Sequence, residues 1–432
     1  IGLFSMKRRV VITGLSSINP LGDTLETYYQ NLIAGKSGIV KWSSIDLSDV
    51  ECKIGGDLGH YDWKGRLEAL KPDLPETVYK KTRRLLRNTT FSARLTILCA
   101  LSAYHDAGMF DAPVDRHLTS VLVPGHNLNS NYIFENTKQF LEEPEFIEAL
   151  SGVEGIDPNV PALITEILGL HGPAFTIGGA CASGNLALRD GYRDIVSGEC
   201  DRAVIAGAPF DVSPADIHAS VIIQAVVIRK EYQDKPEEAS RPFDANRCGF
   251  VYSHGAATMV LEELESAKRH GAPIYGELLG VRANANANHL PAPEAVQQAW
   301  VMKRALDDAG VAPEQVDYVN CHATGTPAGD VQEIIAVKEA LGRHAYNIKL
   351  NAPKSMLGHT CWASPLVETI GGLMQMKHGT LHPSINISTL DPGVDLDVCL
   401  DGPVEHRINY MLKNSFGFGG INCCSVIKRF EE

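Results

Sequence analysis

A single cysteine, Cys181, lies in the small-residue run GGACASGN (178–185), between the strand-like segment PAFTI and the helix-like segment LALRDGYRDIVSG. This position predicts a thiol at a helix N-terminus, where unpaired N–H groups and the helix dipole stabilise a thiolate and lower its pKa. Small neighbours leave room for an acyl group, and nearby backbone N–H groups can form an oxyanion hole. We therefore predict a nucleophile at Cys181, with a structural cysteine in a tight turn as the alternative.

Two histidines further along the chain could assist such a nucleophile. His322 follows a strand-like segment in VNCHATGTPAGD, and His359 lies in KSMLGHTCW. Neutral imidazoles can hold a carbonyl oxygen or move a proton. Lys354, five residues before His359, is either an electrostatic partner of this site or a surface lysine. Asp330 and Glu333 lie one helical turn apart after the His322 loop, and they either cap a helix or anchor Lys354.

A second glycine-rich segment, KNSFGFGGINCC (413–424), lies near the C-terminus. Glycine lets a backbone approach a ligand or adopt positive φ. Phe416 and Phe418 in this segment either fill the core or gate a pocket. The segment matches neither a phosphate-binding loop nor the GxGxxG pattern of a dinucleotide-binding fold. We therefore predict no nucleotide cofactor.

Composition narrows the class of protein. The formal net charge of −13 over 432 residues argues against a nucleic-acid partner, which requires a basic surface. No apolar run approaches the roughly 20 residues needed to cross a bilayer. Ten cysteines contain no CxxC pair and no zinc-ligand spacing. Without a secretory signal, this usage predicts reduced thiols, no metal site and a cytoplasmic location.

The elements that position these residues alternate between strands and helices with short glycine-rich connections, which predicts helices packed on mixed sheets. A faint repeat relates segment 118–127 to 316–325, and 178–198 to 357–379, with Cys181 near the place of His359. We predict two α/β halves, 7–260 with the cysteine and 261–432 with the histidines. A pseudo-twofold axis would then bring equivalent helix N-termini to one central site.

Five motifs in order resemble those of β-ketoacyl-acyl carrier protein synthases of the thiolase superfamily. They are ACASG around Cys181, RPFDANRCGFV (241–251), VNCHATGTPAGDVQE (319–333), NAPKSMLGHT (351–360) and NSFGFGG (414–420). The resemblance covers Arg8 to Phe430. It implies a five-layered α-β-α-β-α fold made of two duplicated halves, and a homodimer or a heterodimer with a homologous subunit.

The resemblance also implies a reaction. Cys181 would carry an acyl group as a thioester, and His322 and His359 would assist decarboxylation of malonyl-acyl carrier protein. The carbanion would then attack the acyl thioester in a decarboxylative Claisen condensation, giving 3-ketoacyl-acyl carrier protein. Lys354 and Glu333 would form a buried ion pair beside the histidines.

Further roles follow from the same resemblance. Thr324 and Thr326 would bind the pantetheine arm. Backbone N–H groups of Cys181 and Phe418 would form the oxyanion hole, and Phe418, with Phe416 beside it, would gate the pocket. Substrates arrive on the phosphopantetheine of the carrier protein, so the enzyme would need no cofactor or metal of its own.

A basic run, YKKTRRLLR (79–87), falls where the family docks its acidic carrier protein. The resemblance assigns this role to Lys80, Lys81, Arg83 and Arg84. A solvated helix face is the alternative interpretation.

Several positions depart from the family pattern while the cysteine and both histidines are kept. Small residues normally follow the second histidine, and the loop 211–227 lacks the usual glycine–phenylalanine pair. The altered positions are Trp362, Pro365, Cys248, Ser253 and His254. This pattern favours a specialised type II polyketide or fatty-acid-like enzyme. It leaves the acyl chain length, the starter unit and the effect of Trp362 open, whether on the pocket or on the dimer contact.

Three alternatives remain at this point. A malonyl-carrier-protein decarboxylase, or a non-catalytic chain-length-factor subunit of a heterodimer, would usually lack the cysteine that is present here. A biosynthetic thiolase would use coenzyme A substrates and a second cysteine near the C-terminus, where Cys423 and Cys424 lie. Lys354 and the two histidines favour the decarboxylating synthase.

Overall fold

Strands and helices alternate along the chain in the computed structural model, which describes residues 8–431. The strands are β1 (Val10–Ile18), β2 (Val40–Lys41), β3 (Ile54–Gly55), β4 (Thr119–Pro124), β5 (Ala174–Ile177), β6 (Arg202–Gly207), β7 (Ala256–Glu263), β8 (Gly276–Ala285), β9 (Tyr318–Asn320), β10 (Lys349–Asn351), β11 (Thr380–Leu381), β12 (Val404–Glu405), β13 (Tyr410–Gly417) and β14 (Ile421–Lys428). The helices are α1 (Leu25–Ile33), α2 (Trp63–Leu70), α3 (Glu76–Leu85), α4 (Phe91–Asp106), α5 (Ser130–Glu142), α6 (Ser151–Glu154), α7 (Asn159–Leu168), α8 (Ser183–Ser197), α9 (Pro214–Ile222), α10 (Lys230–Asp234), α11 (Leu264–Arg269), α12 (Ala295–Ala309), α13 (Gly329–Leu341), α14 (Lys354–Leu357) and α15 (Ser364–His378). None of these helices is long and apolar enough to cross a membrane.

Ten strands form one mixed sheet in the order β10-β9-β13-β14-β8-β1-β7-β6-β4-β5. The order is symmetric about the β8–β1 pair, because β1-β7-β6-β4-β5 on one side matches β8-β14-β13-β9-β10 on the other. Three residue pairs join the two five-stranded halves: Val10 with Leu278, Val11 with Glu277 and Ile12 with Gly276. The repeated strand segments of the sequence are β4 and β9, which occupy equivalent places.

Side chains of the central strands alternate between two cores, as the period of two in a strand requires. In β6, Ala203 and Ile205 join the central core, whereas Val204 and Ala206 join the core under α4 and α7. This alternation explains why β6 is apolar from Ala203 onward: both faces of its half-sheet are covered.

Helices α8 and α15 form the central layer between the two half-sheets. Their side chains, among them Leu188 and Ile370, share one core with Met259 of β7 and Met411 of β13. Helices α4 and α7 cover the outer face of one half-sheet, and α12 and α13 cover the outer face of the other. These layers confirm the predicted five-layered α-β-α-β-α fold. The division at residue 260 stays a prediction, and β7 continues past it to Glu263.

The N-termini of α8 and α15 meet at the centre of the molecule. Each helix follows a one-turn 3-10 helix, Ala180–Ala182 before α8 and Cys361–Ala363 before α15. A Cβ atom on Gly184 would lie 2.9–3.0 Å from the ring carbons of Pro365, so the glycine permits this close approach. The sequence repeat is thus real, but its register differs slightly from the prediction.

Residue equivalence in the two turns corrects the sequence repeat. The first residue of each turn has positive φ, +47° at Ala180 and +52° at Cys361. Cys181 is therefore equivalent to Trp362, whereas His359 lies two residues before its turn. The sequence comparison placed Cys181 only near His359, whereas the closing glycines Gly198 and Gly379, both with positive φ, have the spacing that relates Cys181 to Trp362.

Candidate active site

Cys181 is the middle residue of the 3-10 turn that leads into α8. Ser183 fixes the turn, since its hydroxyl accepts the Gly179 N–H at 2.9 Å and donates to the Ala180 carbonyl at 2.7 Å. The end of β13 lies against this turn: a Cβ on Gly417 would come within 2.7 Å of the Gly179 carbonyl oxygen. The backbone of the NSFGFGG motif can approach the nucleophile because this position is glycine.

The electrostatic state of Cys181 differs from the prediction. Burial raises the pKa of the Cys181 thiol to about 11, against the opposing effects of the Lys354 charge and the backbone N–H groups of Phe418 and Cys181. The predicted stabilisation by N–H groups is present, but desolvation of the thiolate outweighs it. The resting nucleophile is therefore a thiol.

His359 is held as a neutral hydrogen-bond donor. Its Nδ1 accepts the Cys361 N–H at 3.2 Å and lies 3.2 Å from the Ser364 hydroxyl oxygen. An accepting Nδ1 puts the proton on Nε2, which is buried and has no partner among the described residues. Burial, and then the charge of Lys354, lower the pKa of His359 to about 3.

His322 lies edge-on to His359, with ring centroids 5.7 Å apart and an interplanar angle of 81°. Its ring packs in a similar way against Phe416 at 5.6 Å. Burial lowers the pKa of His322 well below its ordinary value, and the charge of Lys354 adds to this effect. Both imidazoles are therefore neutral at physiological pH.

Asp330 and Glu333 anchor the loop that carries His322. The Glu333 carboxylate accepts the backbone N–H groups of His322 and Ala323, each at 2.8 Å. Asp330 accepts the N–H groups of Thr324 at 3.0 Å and of Gly325 at 3.1 Å. The two carboxylates at the start of α13 thus act on the loop backbone.

The predicted ion pair between Lys354 and Glu333 is wrong. Lys354 pairs with Glu368 of α15, with Nζ and Oε1 2.5 Å apart. Glu333 instead uses both oxygens on the backbone of the His322 loop, and Asn414 donates to it at 2.9 Å. Lys413 of β13 is the second ion-pair partner of Glu368.

The buried cluster of Lys354, Lys413 and Glu368 is linked to His359 through Ser364. All three charged side chains are at most 1% exposed. Ser364 donates to Glu368 Oε1 at 3.1 Å, next to His359 Nδ1. Burial alone would raise the pKa of Glu368, but Lys354 and Lys413 lower it below its ordinary value. The cluster therefore keeps positive charge behind the imidazole.

Glu368, Lys413 and Ser364 were missed by the sequence analysis, although two of them carry a signal. Glu368 is the one acidic residue in the otherwise apolar or small segment SPLVETIGGLM, and Lys413 interrupts the strand YMLKNSF. A charge inside a segment that must be buried calls for a partner of opposite sign. Ser364 carries a weaker signal: it lies four residues before Glu368, on the same face of the helix.

A cavity of about 270 Å³ brings together most of the predicted site residues. Thr324 and Thr326 line it with their hydroxyl oxygens 3.2 Å apart. Phe418 also lines the cavity and is 43% exposed. The lining includes Cys181, His322, Glu333, His359 and Phe416, whereas Lys354 is buried behind it.

The predicted docking residues lie elsewhere, on α3, and none of them lines the cavity. Lys80 pairs with Glu76 at 2.6 Å. Lys81 donates to the Glu166 carbonyl at 2.8 Å, and Arg84 lies 3.7 Å from the Glu166 carboxylate. Together with Arg83, these side chains are on the surface, except that Lys81 is half-buried. Their role in carrier-protein docking stays a prediction.

The altered family positions fill the interior. His254 is buried between the rings of Trp42 and Phe91, and burial lowers its pKa to about 4. Ser253 is buried beside it, and Cys248 is half-buried. A neutral imidazole thus occupies the altered position of His254.

Comparison with known proteins shows the family of this chain. The family described as "Beta-ketoacyl synthase, N-terminal domain" matches residues 7–267, and "Beta-ketoacyl synthase, C-terminal domain" matches residues 275–388. A 3-oxoacyl-[acyl-carrier-protein] synthase 2 from Synechocystis sp. is 33% identical over 98% of this chain and 99% of its own length. The same enzyme from Coxiella burnetii is 34% identical with the same coverage.

Solved structures give the same result. The ishigamide ketosynthase/chain length factor superposes with a TM-score of 0.87 at 28% identity, covering 99% of this chain and 100% of its own. The structure of a type II polyketide synthase acyl-carrier protein in complex with its ketosynthase, bound to the hexaketide, gives a TM-score of 0.85 at 26% identity. The match covers 99% of this chain and 100% of that chain. From its sequence and its fold, the chain belongs to the β-ketoacyl synthase family of the thiolase superfamily.

Proposed function

We propose that this chain catalyses the decarboxylative Claisen condensation of an acyl thioester with malonyl-acyl carrier protein. The product is a 3-ketoacyl-acyl carrier protein, longer by two carbons, in fatty-acid or type II polyketide biosynthesis. The observation that carries the proposal is one cavity lined by Cys181 and two neutral histidines, in which the buried Nε2 of His359 has no partner in the part of the chain that the structure describes. An unpartnered donor there is what a developing oxyanion requires.

In the first step the Cys181 sulfur attacks the acyl carbonyl carbon of an acylated carrier protein. A new carbon–sulfur bond forms, the bond to the pantetheine sulfur breaks, and the thiol proton ends on that sulfur. The N–H groups of Cys181 and Phe418 that face the cysteine sulfur also face an oxyanion formed beside it. Because burial raises the pKa of Cys181 to about 11, the thiol form predominates at neutral pH, and its proton must be removed for the sulfur to attack.

In the second step malonyl-carrier protein loses carbon dioxide, and the electron pair of the broken carbon–carbon bond moves onto the thioester oxygen. The His359 Nε2–H, with His322 beside it, stabilises this enolate. The enolate carbon then attacks the acyl carbon on Cys181, and the cysteine sulfur leaves and takes up a proton from water. Because the pKa of His359 is about 3, the ring is a neutral donor that does not protonate the carbanion.

The alternative functions lack support in the site. A decarboxylase or a chain-length factor would usually lack the cysteine, whereas here Cys181 is present and lines the cavity. Cys423 and Cys424, the candidates for a thiolase, are buried in β14 and do not line the cavity. The proposed reaction needs no metal or cofactor held by the chain, since phosphopantetheine arrives with the substrates.

The partners of the proposal are an acyl carrier protein and a second ketosynthase-like chain. Lys80, Lys81, Arg83 and Arg84 on α3 offer positive charge to an acidic carrier protein. Apolar side chains on α5 and just beyond it are exposed, Leu141 by 76%, which supports dimerisation with a copy or with a homologous subunit. The ten cysteines, all within the described residues, are free thiols, which supports a cytoplasmic location.

Intact-protein mass spectrometry tests the proposal. Incubation with an acyl-carrier protein should add one acyl group, and later addition of malonyl-carrier protein should give a 3-ketoacyl product. Cys181→Ala should remove both signals, whereas Cys248→Ala should keep them. Cys248 is the matched control because it is the other partly exposed thiol and lies outside the cavity. Carbon dioxide release without an adduct on Cys181 under any donor would support a decarboxylase instead.

A further inference from the structure

A continuous series of aromatic rings runs from the two histidines past the nucleophile turn. In order the rings are His322, His359, Phe250, Tyr252, Phe210, Trp362 and His126, with centroid separations of 5.7, 5.4, 4.9, 6.3, 5.1 and 4.3 Å. These distances are those of packed aromatic pairs, with Trp362 and His126 packed closest at 4.3 Å. The rings therefore form a wall that begins in the cavity and continues beyond it.

Trp362 and His126 occupy the space behind the nucleophile loop. A Cβ on Gly125, which follows β4, would lie 2.6 Å from Trp362 Cδ1. A Cβ on Gly178, three residues before Cys181, would lie 3.5 Å from the Cβ and Cδ2 atoms of His126. The indole and the imidazole are thus wedged between the end of β4 and the loop that carries the thiol.

On the side of Trp362 and His126, the cavity ends at Cys181. Within the described chain its lining consists of Cys181, Phe250 and His359, with residues from 223–225, 286–298, 322–333 and 416–422. Trp362, His126 and Phe210 do not line it. Space for a substrate therefore lies on the side of Cys181 that faces Thr324, Thr326 and Phe418, and rings fill the opposite side.

We infer that Trp362 limits the acyl group carried by Cys181 to a short chain, by filling the space into which a longer chain would extend. The inference rests on the proposed function, because it concerns the acyl-Cys181 intermediate. Trp362 belongs to the turn equivalent to the Cys181 turn, so the indole is presented next to the nucleophile by the duplicated fold. Its Nε1–H is buried and has no hydrogen-bond partner within residues 8–431, and its ring packs against Phe210 and His126.

The test compares acylation rates of Cys181 with acetyl-, butanoyl-, octanoyl- and dodecanoyl-carrier protein, by intact-protein mass spectrometry. In the wild type the octanoyl rate should be at least about tenfold below the acetyl rate. Trp362→Gly should raise the octanoyl-to-acetyl ratio by about tenfold or more, since each newly buried methylene is worth about fourfold and two already exceed tenfold. Acetyl transfer should stay within a few-fold of the wild type.

Two further variants keep the test decisive. Trp362→Leu and His126→Gly remove less of the wall, and each should also raise the octanoyl-to-acetyl ratio. They replace Trp362→Gly in the test if that variant does not fold. Trp300→Ala is the matched control: this tryptophan lies on α12, is 46% exposed and does not line the cavity, so its ratio should equal that of the wild type.

Equal wild-type rates for acetyl and dodecanoyl donors would overturn the inference. So would a folded Trp362→Gly variant whose ratio is unchanged. Both results leave the proposed function intact, because acylation still occurs. Failure of the wild type to accept any acyl donor on Cys181 would instead contradict the proposed function itself.

Discussion

Replacing Glu368 by glutamine should destabilise the protein strongly. The substitution leaves Lys354 and Lys413 without their shared carboxylate, and both lysine side chains are at most 1% exposed. Removing one partner of a buried ion pair costs about 3–5 kcal/mol, because the remaining charge is buried without compensation. We expect Glu368→Gln to lower the free energy of unfolding at pH 7 by at least this amount, measured by equilibrium urea denaturation.

The pH dependence of this loss has a definite sign. Burial, the largest effect, and the positive charge of Lys354 lower the pKa of Lys413 in the wild type, against the raising effect of the Glu368 charge. Without Glu368 the pKa of Lys413 in the folded state falls further below its unfolded value of about 10.4, because the charge that raised it is gone. Stability then rises with pH wherever the unfolded state binds more protons. The deficit of Glu368→Gln should therefore shrink between pH 7 and pH 10.

A double variant provides the control. Glu368→Gln combined with Lys413→Met removes one buried positive charge along with the carboxylate, so it should recover about half of the lost stability. Unchanged stability of Glu368→Gln, or a double variant less stable than the single one at pH 7, would refute the assignment of Glu368 as the counter-charge of both lysines.

Two further predictions concern the nucleophile. Because the pKa of Cys181 is about 11, the rate of its alkylation by iodoacetamide should rise about tenfold per pH unit from pH 8 to pH 10; a plateau near pH 8 would contradict the raised pKa. Gly417→Ala should slow Cys181 acylation by about tenfold or more, because the new Cβ would lie 2.7 Å from the Gly179 carbonyl oxygen and displace the nucleophile turn. Gly152→Ala, whose Cβ would meet nothing within 4 Å, is the control, and equal rates for the two variants would count against this contact.

Sequence patterns predicted helices packed on mixed sheets, and the resemblance to the ketosynthase family supplied the five layers and the roles of the residues that meet in the cavity. Strand alternation and the spacing of small residues around Cys181 are local signals, and the duplicated motifs relate one half to the other. The structure places Cys181, His322 and His359 around the same cavity, as predicted.

Charge pairing was not predictable from spacing. Glu333 and Glu368 are both buried and both follow a site histidine, at eleven and nine residues, so the sequence offers two candidates for Lys354. The choice depends on how α13 and α15 face the site: α13 turns Glu333 back onto the backbone of the His322 loop, and α15 presents Glu368 to the lysines. The pKa of Cys181 was not predictable from the sequence either. The helix N-terminus that lowers this pKa can be read from the sequence, but the extent of burial that raises it cannot.

The most direct test of the central claim is a single-turnover chase of acyl-Cys181 with malonyl-carrier protein. The acylated enzyme is isolated, mixed with malonyl-carrier protein and followed by intact mass, while carbon dioxide is measured in parallel. We predict that the acyl group leaves Cys181 as one equivalent each of 3-ketoacyl-carrier protein and carbon dioxide forms. Release of carbon dioxide while the acyl group stays on Cys181, with acetyl-carrier protein as the product, would contradict the account.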